Sequence, residues 1–148
     1  MKPHRQKGVA AVELALIMVP MLVLCFGVVE VGRALNYYNG LVKATRGAAR
    51  YLTVQDLNNM TPATERAGKS LSVCGKTSCA PTDPKLVPGL DSLSQVAVTL
   101  YPSVSTGQGS VSLVSVTISD VSFTSFLPYS IASFTYSPVR ITMAWSVT

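Results

Sequence analysis

Residues 9–30 read VAAVELALIMVPMLVLCFGVVE, 22 consecutive positions in which Glu13 alone interrupts the apolar run before it closes at Glu30. As a helix rising 1.5 Å per residue, such a stretch is about 33 Å long, close to the roughly 30 Å of a bilayer's hydrocarbon layer. The sequence therefore predicts a membrane-spanning helix. Pro20, in the middle of the run, is tolerated in a membrane helix and is expected to kink it. A cleaved secretory signal fits less well. The core is too long, no small-x-small cleavage site with a polar boundary follows it, and LVLC at Leu22–Cys25 carries the bulky Leu24 where a lipobox needs a small residue.

Glu13 is the informative residue of the run. A carboxylate in a membrane helix costs on the order of 2 to 3.5 kcal/mol on insertion scales, which marks it as functional or as a headgroup-facing residue near the helix end. Its surroundings favour function: Gly8 precedes it by five positions, and the basic run Lys2-Pro3-His4-Arg5-Gln6-Lys7 precedes Gly8. Charge alone does not orient the segment. Lys2, Arg5 and Lys7 flank one end, while Arg33, Lys43, Arg46 and Arg50 follow the other. Glu30, three residues before Arg33, partly offsets the second group as a helical i,i+3 pair.

Four features in order carry a resemblance: the G-x-x-x-x-E junction from Gly8 to Glu13, the apolar run with its proline, the exit FGVVEVGR (Phe26–Arg33), and a following helix ending in Ala48-Ala49-Arg50-Tyr51. From Lys7 to Leu52 the chain resembles the TadE-like pseudopilins of the tight-adherence (Flp-type) type IV pilus. The resemblance implies a leader, residues 1–8, cut by a prepilin peptidase between Gly8 and Val9. It implies a membrane span at 9–31 with its N-terminus cytoplasmic, and a C-terminal part outside the bacterial inner membrane. The implied function is that of a minor pilin acting in pilus assembly, surface attachment or biofilm formation. The implied partners are the peptidase, the Flp-type major pilin, other TadE/TadF-like pseudopilins and the inner-membrane assembly platform. Glu13 becomes the fifth mature residue, placed to pair with the new amine of Val9 on a neighbouring subunit. The competing reading is an uncleaved, membrane-anchored periplasmic binding module, which needs neither the Gly8–Val9 junction nor Glu13.

Beyond Glu30 the helical pattern continues. Leu41, Ala44, Ala48 and Tyr51/Leu52 recur at three- and four-residue steps, with Lys43, Arg46 and Arg50 on a solvated face. One helix is expected from about Val9 to about Val54, its extracytoplasmic continuation covering residues 32–55. Gly32, Gly40 and Gly47 either weaken it, by about 1 kcal/mol each relative to Ala, or permit close contacts. Residues 56–148 form a small α+β domain in this reading. DLNNM at Asp56–Met60 is a break, and Thr61-Pro62 opens a short helix reaching about Leu71. Cys74–Asp91, with five Gly and Pro among eighteen residues, is an irregular connection. Strand alternation follows at Val96/Val98/Leu100, at Val114/Val116/Ile118 and from Val139 to Val147. PSVSTGQGS, between Tyr101 and Val111, reads as a flexible hairpin-type loop. Phe123, Phe126 and Tyr129, around Pro128, are expected to cover one face of an antiparallel sheet packed on the long helix.

Composition narrows the function classes. The net charge of +5 invites a nucleic-acid reading, but three of the twelve basic residues lie in the first seven positions, leaving nine against seven acidic ones with no basic patch to track phosphates. His4, the sole histidine, lies in the expected leader, so the mature chain has no imidazole for acid–base chemistry or metal binding. Neither G-x-S-x-G nor a phosphate-binding glycine loop is present, and Asp83, Asp91 and Asp120 lack calcium-loop spacing. No enzyme, cofactor or resident metal is expected. Cys25 lies within the apolar run as a small apolar side chain. Cys74 and Cys79, in CGKTSC, make a poor zinc site without histidine. In an oxidising compartment they read as a local disulfide, which stiffens its short loop by roughly 2 kcal/mol or less.

Overall fold

A computed structural model describes residues 6–126 and 133–145. Met1–Arg5 of the expected leader therefore lie outside the described residues, as do Pro128, Tyr129 and Val147. The chain is α+β, and its contacts divide it into two compact units, one ending at Leu35 and one beginning at Asn36. Helix α1 (Gln6–Thr53) belongs to both. It is followed by α2 (Pro62–Cys74), a 3-10 turn at Leu93–Gln95, and strands β1 (Val96–Ser105), β2 (Ser110–Ile118), β3 (Ser122–Phe123), β4 (Phe134–Thr135) and β5 (Val139–Trp145).

In the first unit α1 is continuous through Pro20. Every large apolar side chain from Val9 to Val31 is more than half exposed. A surface of this length and apolarity fits a single-pass membrane anchor.

The second unit builds its core partly from the rest of α1. Leu41, Ala44, Thr45, Ala48, Ala49 and Leu52 are buried at the spacing of one helical face, while Lys43, Arg46 and Arg50 are exposed. Thr45, polar on this face, donates its hydroxyl to the Leu41 carbonyl at 2.7 Å. The stripe joins Leu57, Val73, Val87, Leu90 and the inner sheet residues in one apolar cluster. Thr61 caps α2, its hydroxyl accepting from the Thr64 amide at 3.2 Å, with Pro62 at the first helical position. The helix runs three residues past the expected Leu71 and stops at Gly75, whose φ of 72° is the left-handed conformation of a C-terminal cap.

Strands β1, β2 and β5 form an antiparallel sheet in the order β1-β2-β5. Register aligns apolar rows across it: Val96–Ile118–Val139, Val98–Val116–Ile141 and Leu100–Val114–Met143. The opposite face carries Thr99, Ser115 and Thr142 side by side, with Arg140 donating to Ser115 Oγ at 2.8 Å and to the Tyr101 hydroxyl. Two expectations are corrected. The hairpin loop after Tyr101 is shorter than expected: β1 continues to Ser105, and after an irregularity between Tyr101 and Val104 the ladder resumes with Val104–Val111 and Ser105–Ser110, leaving residues 106–109 as the turn. Interstrand hydrogen bonds satisfy a serine-rich backbone whose composition alone suggests a loop. Phe126 does not cover a sheet face; it is 84% exposed. Phe123 is buried instead, on the separate β3–β4 ladder, with Phe134 at 5.3 Å and Tyr37 of α1 at 5.7 Å between ring centroids.

Gln95 locks the connection into the sheet. Its side-chain carbonyl accepts from the amides of Asp91 and Ser92, and its amide donates to the carbonyls of Gly89 (2.9 Å) and Asp120 (2.8 Å). Gly89 is required nearby, because at φ +86° a side chain would meet the Ser122 carbonyl at 2.5 Å.

The helix glycines differ in kind. A Cβ on Gly40 would meet Val87 Cγ2 at 2.9 Å, whereas one on Gly47 meets nothing within 4 Å. Gly47→Ala should therefore stabilise the folded chain by about 0.5 to 1 kcal/mol. Gly40→Ala should destabilise it by about 1 to 2 kcal/mol through overpacking. Thermal unfolding of the two variants in detergent checks this; equal effects would remove the packing role of Gly40.

Candidate functional site

Gly8 and Val9 both lie inside α1, and the backbone runs through the junction without a break. A Cβ on Gly8 would meet nothing within 4 Å, so packing among the described residues does not explain a glycine there. Val9 and Glu13 are four residues apart and share a helix face. Glu13 is exposed within the apolar surface. At the far end of the run Glu30 is 8% exposed. Arg33 Nη2 stands 3.4 Å from its Oε2, the i,i+3 pair that the spacing suggests. Cys25 is exposed on the same apolar surface.

A second cluster closes the connection after α2. Cys74 is the last residue of α2, and the Leu86 amide donates to the Val73 carbonyl at 2.8 Å, folding the chain back on the helix end. This brings the Cα atoms of Cys74 and Cys79 to 5.8 Å with their sulfurs at bonding distance. Asp83 accepts from the Ala80 amide at 2.9 Å and pairs with Lys76 Nζ at 3.3 Å. The Ala80 hydrogen bond, and then Lys76, hold the Asp83 carboxyl below its ordinary pKa. Lys85 Nζ lies 3.6 Å from each sulfur. Ligand atoms of Cys74, Cys79 and Asp83 fall within 4.8 Å of one another, a grouping that the CxxxxC spacing alone does not reveal. Joined sulfurs offer no thiolate to a metal, and the adjacent ammonium opposes a cation there.

Sequence reasoning thus singled out the two cysteines but neither Asp83 nor Lys85. The available signal was the turn composition of TDPK at 82–85, which marks a reversal without saying what it approaches.

Among the described residues, one helix is long and apolar enough for a single-pass membrane anchor, and it is followed by a small α+β unit. Residues 8–50 match the family model described as TadE-like protein. The matched stretch covers the apolar segment together with the core-forming part of α1 as far as Arg50. No curated protein and no solved structure matches the chain.

Asp56 behaves as Asp83 does. The Asn59 side-chain amide, at 3.0 Å, and the Asn58 amide, at 3.1 Å, stabilise its charged form and lower its pKa. Because folding lowers both pKa values, the stabilisation is complete above the ordinary carboxylate range and is lost as pH falls through the lowered folded values. Acidification into that range should reduce the thermal stability of the wild type more than that of Asp56→Asn/Asp83→Asn. Identical pH profiles would contradict the assignment.

Proposed function

We propose that this chain is a minor pilin, or pseudopilin, of a tight-adherence type IV pilus, cut by a prepilin peptidase between Gly8 and Val9. Its mature form is held in the bacterial inner membrane by residues 9–31, with residues 32–148 on the periplasmic side. It acts in pilus assembly, and through it in surface attachment or biofilm formation, together with the major pilin, other TadE/TadF-like subunits and the inner-membrane platform. The observation that carries this reading is one coincidence: the TadE-like match begins at Gly8, and an exposed carboxylate, Glu13, sits in the apolar helix one turn after the proposed new N-terminus. Cleavage creates an amine at Val9. A carboxylate in hydrocarbon is tolerable when paired, so Glu13 of one subunit and the Val9 amine of another favour a staggered, packed state over the isolated helix.

N-terminal sequencing of the membrane-extracted protein should give Val9 as the first residue. Glu13→Ala should leave protein level, insertion and cleavage normal while reducing crosslinking to other pilins and piliation, with Glu13→Asp intermediate because its reach is one methylene shorter. An intact Met1 in the cell, or wild-type crosslinking by Glu13→Ala, would instead support the uncleaved anchored module.

Cys74 and Cys79 belong to the exported part in this reading and form a disulfide there. Mass spectrometry of protein alkylated without reduction should find neither thiol modified. Two alkylated thiols would remove the bond and weaken the periplasmic assignment.

A further inference from the structure

A neutral disulfide gains little from a nearby cation, whereas a thiolate gains a great deal. Lys85 Nζ stands 3.6 Å from both Cys74 Sγ and Cys79 Sγ, held in place by the Ala80 carbonyl at 3.4 Å. Structural pairing does not call for an ammonium equidistant from two sulfurs; cleavage of the bond between them does. The sulfurs are unequal in access, since Cys74 is 7% exposed at the end of α2 and Cys79 is half-buried in the loop. A thiolate at Cys74 would face the negative end of the α2 dipole. It would also face the Asp83 carboxylate, within 4.8 Å, although that charge is engaged by Lys76 and the Ala80 amide. Lys85 is the group in contact with both sulfurs that offsets these two repulsions.

We infer that the Cys74–Cys79 pair is a thiol–disulfide exchange site for a dithiol, opened by attack at Cys79, with Lys85 stabilising the departing Cys74 thiolate. The inference rests on the disulfide proposed above. A thiolate of the dithiol gives its electron pair to Cys79 Sγ, the sulfur–sulfur bond breaks, and its electrons leave on Cys74 Sγ beside the ammonium. The second thiol of the dithiol then loses its proton and attacks its own sulfur in the mixed disulfide. This releases the Cys79 thiolate, and both cysteines take up protons. The protein disulfide is reduced by two electrons, and the dithiol is oxidised to its disulfide. The reverse sequence, from an oxidised dithiol, installs the bond, and Lys85 assists it by raising the thiolate fraction of the reduced pair.

The test is the second-order rate of reduction by dithiothreitol of the full-length protein in detergent, between roughly pH 6 and 9, together with the pH profile of alkylation at Cys74 and Cys79 in the reduced protein, read by peptide mass spectrometry. Lys85→Met should slow reduction by about tenfold and move half-maximal alkylation to higher pH. Lys85→Arg, which keeps the charge, should stay within about twofold of wild type. Equal rates and equal alkylation profiles for wild type and Lys85→Met, in protein whose Cys74–Cys79 bond is verified under non-reducing conditions, would overturn the role of Lys85 while leaving the disulfide standing. Free thiols at Cys74 and Cys79 in the protein as isolated would overturn the disulfide itself, and the exchange site with it.

Discussion

A peptide group in hydrocarbon has nothing to hydrogen-bond except another peptide group, and the rest of this chain is arranged around that constraint. The 22 residues from Val9 to Glu30 fit it by forming part of one helix whose large apolar side chains are exposed, as a single-pass membrane anchor needs. Against such a surface a single carboxylate stands out. In the proposed function, Glu13 is unfavourable in the isolated helix and favourable once paired in an assembly, as a polymerising subunit needs. The physical content of the pilin reading is this asymmetry between the lone and the packed helix.

The same helix then changes solvent. Past Leu35 its apolar side chains turn from uniformly exposed to a stripe, and the stripe is made mostly of small residues: Ala44, Thr45, Ala48 and Ala49 between Leu41 and Leu52. Small side chains let neighbouring elements approach closely, as Val87 does at Gly40. Opposite-face charges at Lys43, Arg46 and Arg50 remain in water. Helix α1 thus carries a lipid-facing pattern and an amphipathic pattern in succession, and the TadE-like match spans both.

The connection after α2 has few regular elements and is held by named polar contacts instead. Gln95 gathers four backbone groups, Asp83 ties Ala80 to Lys76, and the Leu86 amide returns the chain to Val73. These contacts fix the sulfurs next to an ammonium. That placement separates a bond that merely staples a loop from one whose breaking is electrostatically assisted.

What the amino-acid sequence determined by itself is whatever depends on near neighbours. The apolar length of residues 9–30, the i,i+3 pair Glu30–Arg33, the Thr61-Pro62 start of α2, the buried stripe of α1 and the alternation in the three longer strands all follow from spacing, and the structure carries each of them. The tertiary structure decided what depends on residues far apart in the chain. The Ser-rich stretch after Tyr101 becomes strand because β2 lies alongside it with unpaired backbone groups to offer. Phe123 is buried and Phe126 is not because Phe134 and Tyr37 come to one of them. Gly40 matters and Gly47 does not because Val87 arrives at the first alone. Lys85 meets the sulfurs only once the chain has folded back on α2. Periodicity encodes which face of an element is apolar; which distant group comes to that face is settled by the packing of the whole unit.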